Sequence, residues 1–392
     1  MTAQDLLTRG VAEIIDRKHL EQQLGSGKKL RVKLGIDPTG AKLHLGHAVP
    51  LWKLRSFQEL GHKVVLVIGD FTGLIGDTSD KESERPMLTE KQVADNMKDY
   101  FHQASKILDK DKLELRYNSE WLKPLGFLEI AKQANLFGLH EFLSRENIAR
   151  RLKAGKNVSL REALYPLMQG YDSVAVKADV ELGAIDQRFN LLTGRTLQKF
   201  YNQESQDIIT LKYLMGTDGR KMSKSWGNVI NISDEADDMF GKVMSIEDKF
   251  ILEYLELATQ VPMNELRQIE KELKTGANPR DIKKRLAEEI VTLYHGKKSA
   301  ATASKEWAKV FSQKEKPSEI PKKKIQPGSY TVSSLLVAAG LAGSKSEARR
   351  LIDQGGVKIA DGIIKHDKRL WEIKGNDNLL LQVGKRKFVK IV

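Results

Sequence analysis

Apolar positions along the chain repeat in two rhythms. Leu30–Ile36 and Val64–Gly69 are β-branched apolar runs of strand length that end in glycine-containing turns, and Gly46–Leu60 between them repeats at helical spacing. Strand, helix and strand within some forty residues form a βαβ unit, which implies a parallel sheet and a right-handed crossover. A second such set is predicted for Ser173–Glu181 and Ile208–Met215, with a Gln187–Leu192 helix between them. Residues 1–235 therefore read as α/β: a Rossmann-type doubly wound parallel sheet, whose ligands bind at the carboxyl ends of the strands. Between about 86 and 165 the periodicity is mostly helical, as in Lys91–Leu108 and Leu125–Gln133, and predicts a helical insertion between the two halves of the sheet.

Helical spacing then dominates residues 236–312, over Ser245–Ala258, Met263–Lys274, Pro279–Tyr294 and Ser299–Phe311, and predicts an all-helical domain. Residues 313–328 carry three prolines and five lysines without apolar period and read as a semi-rigid linker. In 329–392, Thr331–Ala339 and Lys345–Gln354 look like short helices. Val357–Ile359, Leu379–Val383 and Lys387–Val392 look like strands, giving a small α+β domain.

At 392 residues the chain has room for two or three domains. It has no cysteine, which excludes disulfides, thiolate metal sites and cysteine nucleophiles. Charges run through the first residues, so no signal peptide is read, and no run approaches the roughly 18 apolar residues of a membrane span. A soluble cytoplasmic protein without membrane contact is expected. The net charge is +13, and residues 329–392 hold 12 Lys and Arg against 6 Asp and Glu. That surplus suits a polyanionic partner, although simple solubility accounts for it equally.

Candidate chemistry gathers in two short motifs. Gly35-Ile36-Asp37-Pro38-Thr39 leaves a strand, and His44-Leu45-Gly46-His47 opens the helix that follows. A helix N-terminus with two imidazoles suits phosphate, and Gly46 leaves room for a base against the backbone. Two role-free surface histidines are the plain alternative, and no third ligand is evident that would make a metal site, so none is assigned. Lys221-Met222-Ser223-Lys224-Ser225, after Thr217-Asp218-Gly219-Arg220, is a loop able to set two ammonium groups on a polyphosphate. Alone it would read as a solvated loop.

Together, in this order and about 175 residues apart, the two motifs resemble the paired signatures of class I aminoacyl-tRNA synthetases. Gly73-Leu74-Ile75-Gly76-Asp77, Tyr165-x-x-x-Gln169-x-x-Asp172 and Asp186-Gln187 narrow the resemblance to the bacterial tyrosyl branch. Ser344–Ile352 with Gly355-Gly356-Val357 resembles the S-four-type RNA-binding domain that usually ends such chains. The resemblance spans essentially the whole chain. It implies activation of L-tyrosine with ATP to tyrosyl-adenylate and pyrophosphate, then transfer of tyrosine to the 3′-terminal ribose of tRNA(Tyr).

The resemblance also implies roles. His44, His47, Lys221 and Lys224 are the catalytic residues. ATP falls to these four with Gly35, Asp37, Thr39, Gly46, Lys81, Arg85, Asp186 and Ser223, and Mg2+ accompanies ATP. Tyrosine falls to Asp77, Tyr165, Gln169, Asp172 and Gln187, with Asp172 accepting from the phenol. The spacing of Tyr165, Gln169 and Asp172 puts them on one helical face, which without the other motifs would read as a hydrated stripe. tRNA falls to Lys345, Arg349, Arg350 and Lys358, with the 236–312 domain near the anticodon. The family forms homodimers through the helical insertion, where Phe127–Phe142 is apolar enough to contribute or to be core. One position departs: many bacterial tyrosyl enzymes carry a tyrosine two residues before Gly35 that helps to bind the phenol, and this chain has Lys33. The second phenol partner is therefore open. The rival readings are a tryptophanyl enzyme, another nucleotidyl-transferase, and a synthetase-derived RNA-binding protein without activity.

Overall fold

The structure is a computed structural model that describes residues 3–78, 87–312, 320–360, 362–368, 370–374, 378–384 and 387–392. Its central sheet contains β1 (Val11–Ile15), β2 (Arg31–Ile36), β3 (Lys63–Ile68), β4 (Leu113–Tyr117), β5 (Val180–Ala184) and β6 (Asp207–Leu211). The spatial order is β1-β6-β5-β2-β3-β4, parallel throughout except for β1 against β6. The strand order reverses between β2 and β5, which opens a crevice at their carboxyl ends. β3 and β6 are apolar and buried along nearly their whole length, as strands covered on both faces must be.

Three helices position the crevice: α1 (Leu45–Glu59) after β2, α2 (Leu160–Val176) before β5 and α3 (Arg188–Phe200) after it. A capping box of Ser159 and Glu162 starts α2. Pro166 inside α2 has no N–H to give the Glu162 carbonyl, and Arg145 Nη2 donates to that oxygen instead at 2.9 Å. Glu162 is itself buried against Arg151 at 2.5 Å.

Two sequence expectations for this sheet are corrected. Ser173–Glu181 is not one strand. Its first residues finish α2, Lys177 ends the helix in the left-handed region (φ 51), and β5 begins at Val180. Val174 and Val176 are buried as helix, with Val176 packed on Val65 and Val67 of β3, because burial against the sheet outweighs their strand propensity. The 86–165 segment is not helical throughout, because it supplies β4, a five-residue edge strand whose brief alternation of Leu113, Leu115 and Tyr117 with Glu114 and Arg116 is lost among helical neighbours.

The chain divides into two compact units, 1–234 with 245–294 and 235–244 with 295–392, so residues 236–312 are shared between them and do not cluster as one body. Composition marks where linkers lie, not which helices pack together. The helix Pro279–Ser312 is interrupted at Gly296 (φ 82), close to the passage between the units.

The second unit carries the helices Val332–Ala338 and Lys345–Asp353 over a five-stranded sheet that includes Val357–Ile359, Leu379–Val383 and Lys387–Ile391. Leu335, Leu336, Ala348, Val357, Leu381 and Ile391 form its core. The expected linker is corrected over 320–328: Lys322–Lys323 pairs parallel with Lys387–Ile391, Ile325 is in the core, and Gly328–Thr331 pairs with Leu370–Ile373. Residues 313–319 of that linker lie outside the described residues. Among the described residues no helix is long and apolar enough to cross a membrane.

Candidate active site

A cavity of about 480 Å3 opens at the carboxyl ends of β2 and β5. On the β2 side, the turn after Ile36 delivers Asp37, whose carboxylate accepts from Thr72 Oγ1 at 2.7 Å and from Tyr165 Oη at 2.8 Å. Gly69 at the end of β3 is required here, because a Cβ would overlap the Asp37 carboxylate and the Thr72 hydroxyl. His44 is the N-cap of α1, and its N–H donates to His47 Nδ1 at 3.3 Å, with the ring centres 3.8 Å apart. A Cβ on Gly46 would lie 3.0 Å from His44 Nδ1 and 3.1 Å from its Cε1, close enough to press the imidazole out of place.

Burial, and then the neighbouring charges of His44, Lys224 and Lys221, hold the His47 imidazole well below its ordinary range. His47 is therefore neutral at pH 7. With Nδ1 accepting, its proton sits on Nε2, the donor a phosphate oxygen needs.

On the β5 side, Asp186 and Gln187 follow Ala184. The second lysine motif returns to this edge through backbone bonds Met222 N–H to Leu214 O (3.0 Å) and Gly216 N–H to Arg220 O (2.7 Å), with Gly219 at the turn (φ 79). Asn228 anchors the motif, since its Oδ1 accepts from the Ser223 N–H at 2.8 Å. The 44–45 segment is stitched to the same region, as Leu45 N–H donates to Ile230 O at 2.9 Å. Lys221 Nζ lies 3.0 Å from Asp186 Oδ2 and 4.2 Å from the Tyr213 ring centre, and Lys224 Nζ donates to Gly40 O at 3.0 Å. Both lysines line the cavity, one held by Asp186 and the other by the Gly40 carbonyl.

The third wall is α2. Tyr165, Gln169 and Asp172 all line the cavity. Asp172 is buried, with Oδ1 accepting from Trp121 Nε1 at 2.8 Å and Oδ2 from Asn118 Nδ2 at 3.3 Å. Burial raises its carboxyl to about 7, against the opposing pull of Lys33 and the two donors. Gln187 Nε2 donates to Asp77 Oδ2 at 2.7 Å, and Asn190 Nδ2 bridges Gln169 Oε1 and Gln187 Oε1 at 2.9 Å each. The arrangement offers cations and the neutral His47 imidazole at one end of a cavity and a desolvated acceptor at the other.

Every residue expected to meet ATP or the amino acid lines this one cavity, with two exceptions. Lys81 and Arg85 lie outside the described residues. Lys33 is not a lining residue. Its ammonium is fully buried against Glu181 at 2.8 Å, which removes it as a direct partner of a ligand. Lys345, Arg349, Arg350 and Lys358 are in the second unit, where Lys345, Arg349 and Arg350 are exposed on one short helix and Arg349 pairs with Asp367 at 3.1 Å. Sequence reasoning missed Asn118, Trp121 and Asn228. The first two follow β4, and only recognising that strand would have brought them to the sheet edge. Among the described residues no three His, Asp or Glu side chains converge as a metal site.

A family model described as tRNA synthetases class I (W and Y) matches residues 26–312, which is most of the chain, and an S4 domain model matches 333–369. The chain belongs to the class I tRNA synthetases. Within that family it is 47% identical to a tyrosine–tRNA ligase of Carboxydothermus hydrogenoformans, over 99% of this chain and 97% of that one. It is 46% identical to the tyrosine–tRNA ligase of Thermotoga maritima, over 98% and 96%. Among solved structures, the fold is shared with the tyrosyl-tRNA synthetase of Archaeoglobus fulgidus complexed with L-tyrosine (TM-score 0.61, 21% identity, 76% of this chain and 98% of that one). It is also shared with a truncated mitochondrial enzyme of Aspergillus nidulans (TM-score 0.65, 22% identity, 79% and 93%). A class I synthetase fold with a C-terminal S4 module is therefore what the chain adopts.

The Asp172 carboxyl gives this synthetase site a stability signature. Its folded value is raised, to about 7, so its contribution is fully present below the unfolded value near 4 and is lost as pH rises through about 7. Asp172→Asn cannot ionise. Its unfolding free energy relative to the unmodified protein should therefore improve between pH 4 and pH 8, by at most about 4 kcal/mol. Denaturant unfolding across that range reads the difference, and a pH-independent difference would contradict a buried, proton-retaining carboxyl.

Proposed function

We propose that this chain activates L-tyrosine with ATP and transfers it to tRNA(Tyr), working in the cytoplasm as a homodimer. The observation that carries this reading is one cavity that joins both phosphate-directed motifs to a buried carboxyl aimed by Trp121 and Asn118. Each Asp172 oxygen accepts one protein donor and has room for a second, so the pocket favours an amino acid that brings a hydroxyl over one that does not. Tryptophan brings only an indole N–H, and relatives named as tyrosine–tRNA ligases at 46–47% identity favour the phenol.

The mechanism needs neither a covalent enzyme intermediate nor a general base, because the substrate carboxylate is already ionised at pH 7. One of its oxygens attacks the α-phosphorus, the new acyl–phosphate bond forms, and the bond to the leaving pyrophosphate breaks. His47 Nε2–H and His44 are assigned to the α-phosphate region. Lys221 and Lys224 are assigned to the charge that builds on pyrophosphate. ATP arrival at Asp186 would compete with Lys221 for that carboxylate, freeing the ammonium for phosphate. Asp77 and Gln169 are assigned to the substrate ammonium. Tyr165 is also assigned there, through a phenol that burial and Asp37 keep protonated. Mg2+ enters with ATP, held chiefly by phosphate oxygens and water. In the second step a terminal ribose hydroxyl attacks the acyl carbon and AMP leaves.

tRNA is assigned to the basic helix Lys345–Asp353 with Lys358, and to the helical region over 236–312. The homodimer is supported by Phe127, Leu128 and Leu139, which are 86%, 71% and 62% exposed, whereas Phe142 of the same stretch is buried. Large apolar groups left in water over one stretch of chain suit a second copy.

ATP–pyrophosphate exchange with the twenty amino acids tested singly should respond to tyrosine alone. Lys221→Ala with Lys224→Ala should slow that exchange by about 100-fold or more while equilibrium tyrosine binding barely changes, and a large loss of tyrosine binding would contradict the assignment. Lys345→Glu with Arg350→Glu should leave exchange intact but raise the KM for tRNA in charging, and flatten its salt dependence by about one to two powers of salt concentration. Undiminished charging would remove the second unit from the tRNA contact.

A further inference from the structure

We propose that Lys33, paired with Glu181, is a positioning residue for amino-acid selection, holding the Gln169–Ser173 turn of α2 so that Gln169 and Asp172 face the substrate. The inference rests on the tyrosine-activating reading above and deepens it.

Lys33 sits in the middle of β2, directly across from Glu181 on β5, at the point where the strand order reverses. Both side chains are buried from solvent, and Lys33 Nζ lies 2.8 Å from Glu181 Oε1. The same ammonium donates to Gln169 O at 3.0 Å and to Ser173 Oγ at 2.9 Å, two links to one turn of α2. Ser173 Oγ in turn donates to Glu181 Oε2 at 2.8 Å, and Gln206 Nε2 donates to the same oxygen at 2.5 Å. Two strands and one helical turn are thereby locked through a single network.

Stability alone does not account for this pair. Removing a Lys and a Glu from water costs several kcal/mol each, and an apolar pair of similar volume often holds a fold as well or better. What distinguishes this pair is its address. The Lys33 ammonium grips one turn of α2 by the Gln169 carbonyl and the Ser173 hydroxyl. The side chains of Gln169 and Asp172, on the same turn, line the cavity. A small rotation of that turn would move both from the ligand together. The charge has a second effect, since Lys33 also opposes the upward push of burial on the Asp172 carboxyl and so helps to keep it an acceptor. Lys33 does not line the cavity, so it acts through α2 and not on the ligand.

The test uses the full chain with Lys33→Met and Glu181→Gln combined, which removes both charges at similar volume. Tyrosine-dependent pyrophosphate exchange should show the KM for tyrosine raised roughly tenfold or more. The preference for tyrosine over phenylalanine should fall, and the KM for ATP should stay within about twofold, since the phosphate end of the cavity is untouched. A folded double variant whose tyrosine KM and selectivity match the unmodified protein overturns the proposal. If the double variant does not fold, Ser173→Ala decides. It keeps both charges but cuts one of the two links to α2, and should raise the tyrosine KM about fivefold, whereas an unchanged KM overturns the proposal. Absence of tyrosine-dependent exchange in the unmodified protein overturns the functional reading beneath it, which is a different result from normal exchange with unaffected variants.

Discussion

Parallel pairing of β2 with β5 is the constraint from which the rest follows. The chain must leave β2 on one side of the sheet and β5 on the other, so the backbone parts at their carboxyl ends and cannot fill the gap. Everything with chemistry is then delivered to that gap by short connections: Asp37 and the two histidines from β2 into α1, Asp186 and Gln187 from β5 into α3, and the lysine motif from the segment after β6. Helix α2, packed beside both strands, adds the one wall that the sheet does not supply. Gly69 shows how tight the delivery is, since a Cβ there would strike the Asp37 carboxylate, and at Gly46 a Cβ would press on the His44 ring.

The cavity is polarised by opposite solutions to burial. At the signature end, cations stay at the rim on carboxylate and carbonyl partners, while His47 escapes the cost of a buried charge by staying neutral. A neutral donor beside two cations held on partners they can exchange suits a polyphosphate better than a bare cluster of positive charge, which would bind product as firmly as substrate. At the α2 end a carboxyl is desolvated far enough to be half-protonated near neutrality, and two fixed donors aim it. Such a group is poorly served by water and well served by one hydroxyl, the basis of selection by hydrogen bonding. Tyrosine-activating enzymes are themselves the standing example of that effect.

The two signatures, the βαβ unit and the Tyr165–Asp172 face were legible because local spacing carried them: a turn, a helix start and an i, i+4, i+7 pattern need no tertiary knowledge. What was hidden depended on packing. β4 alternates apolar and charged residues over only five positions inside a mostly helical stretch, too short a signal to stand out, and with it went Asn118 and Trp121, which aim Asp172. Val174–Val176 has strand propensity and lies in a helix. Ile325 sits among prolines and lysines and still joins a core. Lys33 read as a gap in a pocket, whereas it is the buried half of an ion pair whose other half, Glu181, is distant in sequence and adjacent only across the β2–β5 register. Long-range pairing of this kind leaves no local mark on the chain.

The central claim is that buried Asp172 selects the ligand by accepting from its phenol. Equilibrium binding of L-tyrosine and L-phenylalanine to the unmodified protein, without ATP, tests it most directly because no later step intervenes. Tyrosine should bind more tightly by about tenfold to 100-fold, the worth of one hydrogen bond to a charged group. Equal affinity for the two amino acids, or tighter binding of phenylalanine, would contradict the account.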